Sequence, residues 1–166
     1  MRKLLIALLS LQLLYACHFR IPSGTVSDLK MPFHQWAPTP PMGWNSWDCY
    51  GPTVVESEVK ANVDYMAENL KKFGWEYIVV DIRWYVENDK AGGYNEDDPV
   101  YVLDEYGRLT PALNRFPSAS GGKGFKLLAD YVHQKGLKFG IHIMRGITVI
   151  ALKKNTPISG SESIAQ

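Results

Sequence analysis

The 166 residues carry 46% hydrophobic and 21% charged side chains, which leaves enough apolar surface for a packed core and too little polarity for disorder. A formal net charge of +1, with no basic stripe or acidic tail, argues against nucleic acid or an anionic membrane surface as the main partner. Five Trp and nine Tyr serve either core packing or stacking on the C–H faces of sugars, and composition does not choose between them.

The chain opens with Arg2 and Lys3, followed by an apolar run from Leu4 to Ala16 broken only by Ser10 and Gln12. That run is shorter than the ~20 residues a membrane-spanning helix needs. It fits the apolar region of a secretory signal peptide covering residues 1–17. Its end, Leu14-Tyr15-Ala16-Cys17, resembles the box cut by bacterial lipoprotein signal peptidase. In that reading Cys17 is the lipidated first residue of the mature protein; ordinary cleavage nearby is the alternative. The expectation is export from a bacterial cell, as a periplasmic or membrane-anchored lipoprotein or otherwise a secreted protein, touching membrane only through an N-terminal lipid. Cys49 is the one other cysteine, so no internal disulfide forms if Cys17 is lipidated or removed. The domain then depends on a sizeable core.

Residues 18–38 are polar and broken by Pro22, Gly24, Pro32 and Pro38, the pattern of a tether. The folded part spans residues 39–152. Met42 to Trp47 reads as a first strand. Thr53-Val54-Val55-Glu56 has capping-box spacing, and behind it Val59, Val63, Met66, Ala67, Leu70 and Phe73 make one helical stripe that Gly74 ends. Tyr77 to Val80 is a short β-branched run typical of a strand buried on both faces, and Asp81 follows it. A connection rich in Gly, Asn, Asp and Pro runs from about residue 84 to 124; such a length predicts a functional loop or small elements within it. Phe125 to Gln134 reads as a second helix, closed by Gly136, and Leu137 to Ile143 as a third strand. Residues 153–166 form a polar tail resembling a loop cut short.

The order β-α-β-α-β is the grammar of an α/β fold with a parallel sheet. Both an open doubly wound sheet and the start of a (β/α)₈ barrel satisfy it. Gly43 and Gly51 make no glycine-rich phosphate loop after the first strand, and neither a metal nor another cofactor is expected. In such folds the functional groups gather at the C-terminal ends of strands. Those ends hold Trp47 and Asp48, then Asp81 with Trp84 nearby, then His142 and Arg145. Trp47 serves a core equally well, Asp48 suits a cap, and His142 between Ile141 and Ile143 also fits a hydrogen-bonded core histidine. Asp81 is the sharpest case, because a carboxylate ending an apolar strand is costly to bury without a partner. A ligand hydroxyl, a backbone N–H and Arg83 are the candidates.

Pro41-Met42-Gly43-Trp44-Asn45-Ser46-Trp47 resembles the opening strand of glycoside hydrolase family 27, the α-galactosidases or melibiases. Tyr77-Ile78-Val79-Val80-Asp81, Gly107-Arg108-Leu109, Arg115-Phe116-Pro117, Leu128-Ala129-Asp130-Tyr131-Val132-His133 and Gly136-Leu137-Lys138-Phe139-Gly140-Ile141 follow in that family's order. The resemblance spans about residues 39–147. It implies the first three βα units of a (β/α)₈ TIM barrel, incomplete here, and retaining hydrolysis of terminal α-D-galactosides or the related β-L-arabinopyranosides in oligosaccharides or polysaccharides. It also implies that Trp47 stacks on the sugar, that Asp81 hydrogen-bonds its hydroxyls, and that Trp84 closes the same motif. His142 takes the place where many relatives have a sugar-contacting tyrosine. Two positions depart from the pattern: Ile82 stands for a second aspartate and Arg83 for a cysteine, which removes a common disulfide. An isoleucine accepts no hydrogen bond, so galactose's exocyclic hydroxyl would face an apolar wall, a mismatch of roughly 1–3 kcal/mol. β-L-Arabinopyranose has galactose's ring stereochemistry without that CH₂OH group, so the expected preference shifts towards arabinopyranosides.

Retaining glycosidases need a nucleophile and an acid/base, two carboxyl groups about 5–5.5 Å apart. The resemblance puts both on the fourth and sixth strands, past the third with which this sequence ends. Asp97, Asp98 and Asp130 match neither motif, so no catalytic residue is assigned and the isolated chain is expected to be inactive and poorly soluble. A surface carbohydrate-binding protein without hydrolysis and an inactive pseudogene product are the competing readings.

Overall fold

The structure, a computed structural model, describes residue 35 and residues 39–165; the expected leader with Cys17 and nearly all of the tether lie outside the described residues. From residue 40 onward the chain forms one compact unit.

Three parallel strands, β1 (Gly43–Asn45), β2 (Tyr77–Val80) and β3 (Lys138–Ile141), form one sheet in the order β1-β2-β3. Gly43 pairs with Tyr77 and Asn45 with Val79; Tyr77 pairs with Lys138 and Val80 with Ile141. Gly43 is required by its neighbour, since a Cβ there would fall 2.4 Å from the Tyr77 carbonyl oxygen. The first strand is shorter than the sequence predicts. The Asn45 side-chain oxygen accepts a 2.8 Å hydrogen bond from the Trp47 N–H, and the chain turns at Ser46. Trp47 therefore opens a one-turn helix, α1 (Trp47–Tyr50), instead of ending the strand.

The long helix α2 (Glu56–Asn69) begins two residues later than the expected capping box. Val55 stands at the N-cap, and its N–H is held by the Glu58 carboxylate at 2.9 Å. Thr53 instead donates its hydroxyl to the Tyr50 carbonyl at 2.8 Å. Val59, Val63 and Met66 are buried as the stripe predicts, whereas Phe73 is 65% exposed. After Leu70 the chain tightens into a 3₁₀ turn, Lys71–Phe73, whose three-residue repeat rotates Phe73 off the stripe before Gly74 closes it at φ 91°. The second long helix, α3 (Lys126–Gln134), buries Leu128 and Val132 and ends against Gly136 at φ 70°.

Ile78 and Val80 of β2 join Val59, Val63 and Met66 of α2 and Leu128 and Val132 of α3 in one core. Each such side chain contributes roughly 1.5–3 kcal/mol by leaving water. The strand is not buried on both faces, as its sequence suggests: Tyr77 and Val79, pointing to the opposite face, are only half-buried. A further aromatic layer extends the core. Phe125 meets Trp84 and Phe116 edge-on, each with ring centroids 5.1 Å apart.

The connection between β2 and α3 carries small elements of its own. Val86 bridges to Tyr101 and Leu103 to Leu109, both antiparallel, and Pro117–Ala119 forms a 3₁₀ turn. Arg115 knits it to the rest. Its buried guanidinium donates to the carbonyls of Val54 at 2.8 and 3.1 Å, Arg83 at 2.9 Å and Val86 at 3.0 Å. Beyond β3 a short helix that sequence patterning missed, α4 (Val149–Lys153), crosses the expected boundary between the barrel part and the tail. Its N-cap Thr148 accepts a hydrogen bond from the Ala151 N–H at 3.2 Å. The tail then folds back, with Pro157 bridging to Ile164 and Ala165 buried. No helix among the described residues is long and apolar enough to cross a membrane.

Candidate functional site

The sheet's hydrogen-bonding pattern continues past the C-terminal ends of the strands and fixes the residues there. The Ser46 N–H donates to the Val79 carbonyl, and the His142 N–H to the Val80 carbonyl, both at 3.0 Å. Ser46 is fully buried, and its hydroxyl accepts the Asp81 N–H at 2.9 Å. Asp81 and His142, 61 residues apart in sequence, are thereby brought together, with the His142 Nδ1 atom 3.1 Å from Asp81 Oδ1. The same carboxylate oxygen accepts the Ile82 N–H at 2.7 Å. The Asp81 side chain keeps 16% of its surface and that of His142 56%, so His142 is not a core histidine. A carboxylate partly open to solvent and pre-aimed by a backbone N–H and an imidazole can accept hydrogen bonds from ligand hydroxyls.

Arg83 is not the partner of Asp81. The backbone turns at Arg83 into the left-handed region, φ 69°, and its buried guanidinium goes to Asp89 and to the Asn95 carbonyl at 2.9 Å. Burial pushes the Arg83 pKa down, but the hydrogen bonds and charge of Asp89 outweigh it and leave the pKa raised. Asp89 also accepts the Asn95 N–H at 2.8 Å, so this knot fastens the start of the long loop. Neither Asp89 nor Asn95 was marked by the sequence; a short Asp–Asn–Gly-rich run was the only signal.

Trp47 is half-buried and lies against Tyr94 of the same loop, ring centroids 5.5 Å apart. Trp84, in contrast, is 3% exposed; its indole N–H donates to the His142 carbonyl at 2.9 Å. It supports the site from within the core. Ile82 lines a cleft of about 400 Å³ with Tyr94, Tyr101, Met144 and Arg145. The aromatic residues thus divide: Trp84, Phe116 and Phe125 make core, while Trp47 and Tyr94 stand at the strand ends. Asp48 is exposed on α1 and makes no capping bond among those described. No cluster of three or more His, Cys, Asp or Glu able to hold a metal ion occurs among the described residues.

Parallel β-α-β-α-β order, with Asp81 and His142 paired at the strand ends, is the arrangement with which a (β/α)₈ barrel opens. Residues 39–153 match the sequence profile of the alpha galactosidase A family (Melibiase_2). The chain belongs to that family. It is 41% identical over 120 residues to alpha-galactosidase A of Cellvibrio japonicus, an alignment covering 72% of this chain and 25% of that protein. The alpha-galactosidase of Cyamopsis tetragonoloba is 38% identical over 105 residues, covering 63% of this chain and 21% of its own length. Among solved structures, the family 27 β-L-arabinopyranosidase of Geobacillus stearothermophilus in complex with arabinose superposes with a TM-score of 0.78 at 62% identity. That match covers 82% of this chain and 31% of the other. The chain thus spans about a fifth to a third of the length of these relatives.

Proposed function

We propose that this chain carries sugar-recognition residues of a glycosidase that prefers β-L-arabinopyranosides to α-D-galactosides. The observation that carries this reading is Ile82. It follows Asp81 directly, lines the cleft with an apolar side chain, and donates its own N–H to the Asp81 carboxylate. Asp81 and His142 supply the polar contacts to ring hydroxyls, and Trp47 the flat face on which the ring rests. At Ile82 a CH₂OH group gains no hydrogen-bond partner, whereas arabinopyranose presents only a ring methylene. The 62% identity to a β-L-arabinopyranosidase supports the same choice.

Hydrolysis with retention requires two carboxyl groups about 5–5.5 Å apart. Asp81 is engaged by His142 and Ile82, and we assign the catalytic pair to strands of the family's barrel beyond β3. Residues 1–17 serve export, with Cys17 as the lipid-bearing residue; loss of metabolic lipid labelling in Cys17→Ala tests that assignment. The binding reading is tested by titrating the 166-residue chain with L-arabinose and D-galactose by calorimetry. Arabinose is expected to bind roughly 5- to 100-fold more tightly, the range set by one unmade hydrogen bond. Ile82→Asp is expected to narrow the gap by strengthening galactose binding. Equal affinities in the natural chain, or an Ile82→Asp variant with an unchanged ratio, would overturn it.

A further inference from the structure

We propose that Tyr94 contacts the ligand and that the cleft beside it receives the group attached to the bound sugar, favouring a flat apolar or aromatic one. The proposal rests on the arabinopyranoside reading above, and no motif in the sequence nominates Tyr94. Its ring meets Trp47 at a tilt of 46°, yet it stays 41% exposed. The Arg83 guanidinium lies 4.8 Å from the ring centroid, and Asp89 and the Asn95 carbonyl hold that guanidinium in turn. The ring is therefore fixed before any ligand arrives. A rigid, part-exposed aromatic ring at the edge of a cleft presents a stacking face at little cost in conformational entropy.

The cleft, about 400 Å³, runs from Ile82 and Tyr94 to Met144, Arg145 and Ile147. Trp47, Asp81 and His142 do not line it. A pyranose held by those three residues leaves the cleft open, and Ile82 and Tyr94 join the two spaces. Met144 and Ile147, 53% and 58% exposed, add apolar surface to the same lining. Of the three charged residues in the lining, Arg83 is neutralised by Asp89 behind it, and Glu96 and Arg145 bring one charge of each sign, so the lining selects for no ionic group. A neutral, largely apolar substituent is the occupant this lining fits.

The test compares L-arabinose with 4-nitrophenyl β-L-arabinopyranoside on the 166-residue chain, by calorimetry and saturation-transfer NMR. The aryl glycoside is expected to bind about two- to tenfold more tightly than the free sugar, the range for one aromatic stacking contact. Tyr94→Ala should remove that gain, and the saturation of the aryl protons with it, so that the aryl glycoside binds no more tightly than arabinose. Tyr94→Phe should keep it. Met144→Ala, elsewhere in the lining and 53% exposed, should weaken the aryl glycoside while leaving the arabinose affinity unchanged. An aryl glycoside no tighter than arabinose overturns the proposal, as does a Tyr94→Ala variant that weakens both ligands alike. If the natural chain binds neither, the sugar-site reading fails and this proposal falls with it. Retained arabinose binding with an aryl affinity indifferent to Tyr94 overturns the proposal alone.

Discussion

Replacing Arg115 with methionine withdraws the donor from three backbone carbonyls at once. Those of Val54, Arg83 and Val86 lose a partner in a place that water does not reach freely, since Arg115 is only 7% exposed. The Arg83 carbonyl keeps the Val86 N–H at 3.0 Å, so two carbonyls, those of Val54 and Val86, are orphaned, each at a cost of roughly 1–3 kcal/mol. Against this stands the relief of a buried charge. Burial pulls the Arg115 pKa down to about 10, against which Asp89 and Glu58 pull only weakly upward. That displacement corresponds to about 3 kcal/mol of cost to the charged form. At mid-range the two carbonyl losses slightly exceed this relief, and Arg115→Met should destabilise the chain by on the order of 1 kcal/mol. Arg115→Lys separates the two contributions. It keeps the buried charge but offers a single point instead of a planar fork, so with no charge relief it should lose about 2 kcal/mol. Urea unfolding followed by tryptophan fluorescence and far-UV circular dichroism gives both values. A lysine variant within about 1 kcal/mol of the natural chain would refute the argument from guanidinium geometry.

Three further outcomes follow from contacts elsewhere. Ser46→Ala leaves the Asp81 N–H without its buried acceptor; it should cost roughly 1–3 kcal/mol in urea unfolding and weaken arabinose binding through Asp81. Gly43→Ala should force β1 away from the Tyr77 carbonyl, and unchanged protection of the β1 amides in hydrogen exchange would contradict that. Burial raises the Glu56 pKa, but the Lys60 ammonium at 2.5 Å and the Ser118 N–H at 2.9 Å outweigh it and leave the pKa below 4.5. A carboxyl whose folded-state pKa is depressed gives stability that is present above its unfolded value and lost as pH falls through the folded one. Stability should therefore decline below about pH 4.5, and Glu56→Gln should flatten that decline, which urea midpoints between pH 3 and 6 will show.

Sequence patterning located the three strands of the sheet as short apolar stretches between turn residues; β2, the β-branched one, agrees residue for residue in its limits. It misjudged places where one side chain redirects the backbone. The Asn45 carboxamide ends β1 before Trp47, and Glu58, instead of Glu56, holds the start of α2. Both are choices between neighbouring polar residues that periodicity does not register. Asp81, Trp47 and His142 were legible as strand-end residues, but the pairing of Asp81 with His142 depends on sheet register and not on spacing. Arg83, Asp89 and Tyr94 were illegible as a group, because a left-handed turn and a buried ion pair bring them together inside a loop of irregular sequence. Arg115 lay in a recognised motif, yet its partners are all backbone carbonyls, and those leave no signature in side-chain sequence.

The register of the sheet also bears on the order in which the protein is assembled. Gly43 meets Tyr77 across 34 residues of chain, and Tyr77 meets Lys138 across 61. The difference in loop-closure entropy between the two pairings is only about 0.5 kcal/mol. Entropy therefore barely favours β1–β2 over β2–β3, and the order of chain emergence decides. The β1–β2 ladder and α2 are complete before the segment that forms β3 exists, so β2 waits with one edge bare while more than fifty residues follow it. During that interval the knot of Arg83, Asp89 and Asn95, which lies within the first twenty residues after β2, can already form and fasten the start of the long loop, since all its members precede β3.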